Sequence, residues 1–138
     1  MAAANAQRLG LSITCHLGDW WQALPAGLRA DMVVSNPPYL APDDRHLPAL
    51  RHEPYAALVG GGGDGLDAIR RIIGGASARL RPGGWLLLEH GNGQETAIDA
   101  LLAAAGFEAR RGWHDLAGHL RCSGGRRPHA EADKPLAV

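Results

Sequence analysis

Apolar positions along this chain follow two habits, short unbroken runs and longer stretches in which they return every three or four residues. Asp31-Met32-Val33-Val34-Ser35 and Trp85-Leu86-Leu87-Leu88-Glu89 are of the first kind and predict strands buried on both faces. Between them Leu66, Ile69, Ile72, Ile73 and Leu80 fall near helical spacing, with Asp64 placed to cap that helix and Arg81-Pro82-Gly83-Gly84 to end it. A second helix is predicted over 94–105, stopped at Gly106, and a weaker closing pair of strands over 107–113 and 119–123. Upstream, 2–9 reads as the last turns of a helix with Gly10 at its left-handed exit, and 11–17 as a short strand. A turn or helical segment follows to Leu24, broken by Pro25 and Gly27. Strand, helix, strand, helix, strand predicts an α/β sheet with helices on both faces.

Two segments break the pattern. Asn36-Pro37-Pro38-Tyr39 must stop the first apolar strand, because proline has no N–H to donate and holds the residue before it extended. Residues 40–63 have no periodicity, only Pro42, Pro48 and Pro54 among charges and then Gly60-Gly61-Gly62-Gly63, so a long loop with one short helical turn is expected. Loops of that length are usually functional or disordered. From Ser123 onward, small, polar and Gly/Pro residues predict a disordered tail over 124–138.

Composition narrows the classes. At 138 residues, 46% hydrophobic and 20% charged, the chain is sized for one domain. Fourteen basic against 14 acidic residues give a formal net charge of zero, which argues against a broad nucleic-acid-binding face. Cys15 and Cys122 are too few for a disulfide scaffold; with no membrane span and no signal peptide, a cytoplasmic setting is expected. The histidines lack metal-ligand spacing, and Gly60–Gly63 lacks the Gly-Lys-Ser/Thr of a phosphate loop, so flexible linkage is the plainer expectation there. His90, after the second apolar strand, reads as a satisfied structural histidine, and of the tryptophans only Trp20 has a positional reason to touch a ligand.

The tetrapeptide remains. A polar residue clamped before two prolines at the carboxyl end of a buried strand lies where open α/β sheets bind ligands. Asn36-Pro37-Pro38-Tyr39 resembles the NPPY motif of class I, S-adenosyl-L-methionine-dependent methyltransferases that act on planar amide or amine nitrogen. Asn5-Ala6-Gln7-Arg8-Leu9-Gly10, Gly18-Asp19-Trp20, His52-Glu53-Pro54, the glycine stretch before Leu66-Asp67, Leu80-Arg81-Pro82-Gly83-Gly84, Leu88-Glu89-His90-Gly91 and Asp115-Leu116-Ala117-Gly118-His119-Leu120-Arg121 follow in the order of one family. As a set they resemble the release factor glutamine methyltransferases, which modify the glutamine of the Gly-Gly-Gln motif in bacterial class I peptide chain release factors.

The resemblance implies that Asp19 meets the adenine amino group, that Trp20 flanks the adenosine, and that Asn36 touches both cofactor and substrate. It implies that Asn36, Pro37, Pro38 and Tyr39 hold the substrate amide. Chemically, the Asn36 side-chain oxygen and the Pro37 carbonyl can accept the two amide protons and turn the nitrogen lone pair toward the methyl group. Tyr39 can pack its ring on the flat target, near the methyl cation. Glu53 resembles the family's loop acid, with a structural role.

The departures from the pattern also carry expectations. The Gly-rich cofactor loop and the acidic strand end that meets the ribose are not in this sequence, which implies a C-terminal fragment with a partial catalytic domain over 1–123. In the family's strand order, 3-2-1-4-5-7-6, absence of the first two strands isolates the 11–17 strand, and poor cofactor binding and marginal stability are expected of the chain alone. Competing readings are glutamine methylation of a large-subunit ribosomal protein, amine methylation of a flipped nucleic-acid base, and a catalytically inactive fragment.

Overall fold

A computed structural model describes residues 1–129. Helix α1 (Ala2–Arg8) opens the chain, and a 3-10 turn (Trp20–Ala23) leads to β1 (Ala30–Ser35). A second 3-10 turn (Leu47–Leu50) and the one-turn helix α2 (Tyr55–Leu58) interrupt the long loop that follows. Then come α3 (Asp67–Ala76), β2 (Leu80–Glu89), α4 (Glu95–Ala104), β3 (Glu108–His114) and β4 (Leu120–Arg126). The four strands form one sheet in the order β1-β2-β4-β3; β1 and β2 are parallel, and β4 runs antiparallel to both of its neighbours. That order reproduces the 4-5-7-6 half of the order implied by the resemblance.

The apolar spacing does its expected work on one side of this sheet. Ile69, Ile72, Ile73 and Ala76 of α3 and Ile98 and Leu102 of α4 close over Leu80, Leu86 and Leu88 of β2, with Leu66 and Phe107 completing the core. Both helices therefore lie on the same face, where strand–helix alternation alone leads one to expect one on each. The reason is topological. The steps β1 to β2 and β2 to β3 move in the same direction across the sheet, and right-handed crossovers in one direction put their helices on one side. The opposite face carries no helix among the described residues. Met32 and Val34, expected to be buried, are 51% and 70% exposed there.

Three further boundaries differ from expectation. Residues 11–17 form no strand; they run as irregular, exposed chain, since an extended segment becomes a strand only by pairing. Arg81-Pro82-Gly83-Gly84 does not end α3, which stops at Ala76, but lies within β2 as a bulge. The pairing steps there from Ala30↔Leu80 to Met32↔Trp85. β4 extends to Arg126, through residues assigned to the tail. Gly124 sits where a Cβ would strike the Leu86 carbonyl and come within 2.7 Å of Leu87 Cδ2, so glycine marks close approach between strands. Residues 130–138 of the expected tail lie outside the described residues. Among the described residues no helix is long and apolar enough to cross a membrane.

Candidate functional site

The sheet brings three chain segments to one edge. β1 and β2 are parallel and end side by side, with Ser35 opposite Leu88, while antiparallel β4 begins there, with Cys122 opposite Glu89. Asn36–Tyr39, Glu89–Gly91 and Arg121 thus converge at the carboxyl ends of the parallel strands, where open α/β sheets bind ligands. Of these, Asn36–Tyr39, Gly91 and Arg121 border a cavity of about 680 Å³, which Asp64 and Gln94 also line. Within the tetrapeptide Pro37 is buried and Asn36 exposed, so the prolines anchor and the amide projects.

The backbone after Asn36 is held from behind. The Leu58 carbonyl accepts from the Tyr39 N–H (3.1 Å) and the Leu40 N–H (2.9 Å), and Gly60 N–H donates to the Leu40 carbonyl (3.1 Å). Gln94 ties three segments together: its Nε2 donates to the carbonyls of Tyr39 (2.9 Å) and Asp64 (3.1 Å), and its Oε1 accepts from Gly91 N–H (2.8 Å). The glycine stretch is part of this backing. A Cβ on Gly60 would lie 2.6 Å from the Pro38 carbonyl oxygen, and one on Gly65 would strike the Tyr39 carbonyl oxygen and sit 2.8 Å from Leu40 C. In place of the flexible linkage expected throughout, Gly60 and Gly65 are packed against the main chain of the tetrapeptide and Leu40, Gly61 and Gly62 lie against the Asp67 side chain, and Gly63 alone stands open.

Tyr39 is fixed at its other end as well. Its hydroxyl donates to Glu89 Oε1 (3.3 Å) and accepts from Arg121 Nη2 (3.1 Å), and the Arg121 guanidinium carbon lies 5.6 Å from the ring centroid. Burial pushes the phenol above its ordinary value; Arg121 opposes this and Glu89 adds to it, so the hydroxyl keeps its proton at neutral pH. Arg121 reaches this place from a tight hairpin. Asp115 Oδ1 accepts the N–H groups of Ala117 and His119, both at 2.9 Å, and these bonds hold its carboxyl below the ordinary range, the His119 bond most strongly. Glu89, Gln94 and Arg121 carry no site signal of their own in the sequence. Glu89 and Arg121 stand in the stretches Leu88–Gly91 and Asp115–Arg121, and only strand pairing shows that they meet.

His90 is fully buried and satisfied, as expected of a structural histidine. Nδ1 is 2.8 Å from the Gly91 carbonyl, which can only accept, so Nδ1 carries the proton and Nε2 accepts from the Ser123 hydroxyl at 2.8 Å.

Asp19 and Trp20 stand apart from this cavity. The Asp19 carboxylate pairs with Arg71 (3.2 Å) in the open, and Trp20 has a backbone φ of +45°, a strained value for a bulky side chain. Trp21, beside it, anchors the turn by donating Nε1 to the carbonyls of Arg71 and Ile72, both at 3.2 Å. Trp20 borders a second cavity, about 370 Å³, together with Val33, Val34 and Ser35. The two cavities therefore flank the end of β1. No group of His, Cys, Asp and Glu among the described residues is placed to hold a metal ion.

No family model matches the chain. It is similar to the release factor glutamine methyltransferase of Bordetella pertussis, 51% identical over 127 residues, which are 91% of this chain and 47% of that protein. It is similar to proteins of the same name from Xylella fastidiosa, 49% identical over 131 residues (93% of the chain, 47% of the relative), and Pseudomonas aeruginosa, 43% identical over 129 residues (91% and 46%). The chain spans about half the length of the curated relatives it matches. With the strand order and the ordered motifs, these alignments show that the chain belongs to the release factor glutamine methyltransferase family.

Proposed function

We propose that this chain carries the amide-binding half of an S-adenosyl-L-methionine-dependent methyltransferase site that acts on the glutamine of the Gly-Gly-Gln motif in bacterial class I release factors. The observation that carries it is the rigid placement of Asn36-Pro37-Pro38-Tyr39 at the carboxyl end of β1, backed by Gln94 and the glycine stretch.

An amide nitrogen is a poor nucleophile because its lone pair is delocalised into the carbonyl, so orientation is what such a site must provide. Asn36 Oδ1 accepts one amide proton and the Pro37 carbonyl accepts the other, which fixes the plane of the amide. The Tyr39 ring packs against that plane. S-adenosyl-L-methionine, when bound, supplies an electrophilic sulfonium methyl. The residues present fit its adenosine end: Asp19 offers an exposed carboxylate to the adenine amino group, and Trp20 an indole at the cavity beside Ser35. Tyr39 holds its proton and is engaged at both oxygen positions, so it is no general base. None is needed before transfer, because the methylated nitrogen gives up its proton to solvent afterwards.

Incubation of the chain, and of a version extended upstream, with labelled cofactor and purified release factor, ribosomal protein or DNA tests this. Label on the release factor glutamine, reduced at least about 100-fold by Asn36→Ala, is the expected result. Label only on the ribosomal protein or only on DNA would replace the substrate; no label with any of them would leave a docking fragment.

A further inference from the structure

We propose that Arg121 and Glu89 are positioning residues that act through Tyr39, fixing its ring by its hydroxyl, which is wholly committed to the two of them. This rests on the methyltransferase reading for its catalytic consequence, though not for its geometry.

A tyrosine at the mouth of a cavity ordinarily has a mobile ring and a free hydroxyl. Tyr39 has neither. The Arg121 guanidinium stands at the hydroxyl end of the ring, with Cζ 5.6 Å from the centroid, and the ring edge at Cδ2 faces Gly91, where a Cβ would come within 3.5 Å. The hydroxyl donates to Glu89 and accepts from Arg121. The charges of Glu89 and Arg121 oppose each other across the phenol oxygen, so the arrangement is near-neutral and depends on both. Its two charged members come from adjacent positions of paired strands, Glu89 at the end of β2 and Arg121 just before the partner of Glu89, Cys122, in β4. Sheet register therefore sets the two charged members, while the contacts behind the loop hold Tyr39 between them.

The clamp is testable without turnover. Tyr39 and Tyr55 are the two tyrosines, and Tyr55 is exposed on α2. In a Tyr55→Phe background labelled with 3-fluorotyrosine, the fluorine resonance reports Tyr39 ionisation alone. Arg121→Gln should raise the Tyr39 titration midpoint, Glu89→Gln should lower it, and Arg121→Lys should restore most of the Arg121→Gln shift, with circular dichroism unchanged. Two folded variants that shift the midpoint in the same direction, or not at all, would overturn the proposal; a merely structural role predicts no opposed signs.

In the methylation assay, Arg121→Gln and Tyr39→Phe should each lower kcat about 10- to 100-fold with the cofactor KM unchanged. The double variant should be no worse than either single one. Additive losses would refute positioning through Tyr39. If the wild type transfers no label, the proposed function fails while the fluorine titration still decides the clamp. If the midpoints do not respond, the clamp fails while labelling by the wild type stands.

Discussion

Gly65→Ala is the most direct test of the idea that the glycine stretch is a packed backing for the tetrapeptide. Gly65 has φ +75°, and an added Cβ would meet the Tyr39 carbonyl oxygen, Leu40 C at 2.8 Å and Ala41 N at 2.9 Å, all of them main-chain atoms that no rotamer change can move. The left-handed backbone costs an alanine about 1–2 kcal/mol. Overpacking against a rigid neighbour adds about 1–3 kcal/mol. Together they give a destabilisation of about 2–5 kcal/mol, a large share of the roughly 5–15 kcal/mol by which small domains are stable. Gly74 is the control. It lies in α3 with nothing within 4 Å of its Cβ position, so Gly74→Ala should stabilise by about 0.5–1 kcal/mol through helix propensity alone. Urea unfolding followed by circular dichroism measures both, and an unchanged slope shows that the unfolded state is not the cause. If Gly65→Ala matched wild type within about 0.5 kcal/mol while Gly74→Ala gave its expected gain, the backing would be a flexible linker after all.

Three other outcomes follow from the same geometry. Ser123→Ala removes the hydroxyl that satisfies His90 Nε2 in the core and should cost about 1–3 kcal/mol, read from the same urea curves. Asp64, held down to about 2 from its ordinary 3.8 by the Arg70 guanidinium and the Leu66 N–H, favours the folded state fully above its unfolded value. That contribution is lost as pH falls from about 4 toward 2, so the stability gap between wild type and Asp64→Asn should shrink over that range and stay level above it. Arg111 lies 4.9 Å from the ring centroids of both Trp85 and Trp113 on the uncovered sheet face. Arg111→Ala should destabilise by about 0.5–2 kcal/mol and shift tryptophan emission to the red as the indoles meet water.

The elements that sequence showed well are those whose signal is local. β1, α3, α4 and the core of β2 each carry their own periodicity, and Ile69, Ile72, Ile73, Leu86 and Leu88 are buried as it predicts. What escaped depends on neighbours. Whether 11–17 is a strand is decided by what lies beside it, and its apolar residues Leu11, Ile13 and Leu17 are exposed instead. Gly124 and Gly125 look like the start of a tail in isolation, yet they occupy an inner strand where larger residues would strike Leu86, Leu87 and Phe107. Met32 and Val34 are apolar, but the side on which helices lie is fixed by the direction of the crossovers, which no single strand encodes.

The site divides along the same line. Asn36-Pro37-Pro38-Tyr39 is legible because two adjacent prolines after an apolar run leave the backbone few options, so the residues announce both the end of a strand and a rigid presentation of Asn36. Glu89, Gln94 and Arg121 announce nothing alone. An acid closing a strand, a glutamine opening a helix and an arginine after a turn are ordinary surface residues until β2 and β4 pair. Pairing then places one charge on each side of the Tyr39 hydroxyl, and the start of α4 brings the Gln94 amide to the Tyr39 carbonyl. The tetrapeptide supplies the chemistry of the amide, and the long-range partners determine whether it stands still. A variant that leaves Asn36 to Tyr39 intact but shifts the β2–β4 register by one residue should therefore lose the ring lock while preserving the motif, because the two charged members of the lock belong to the sheet.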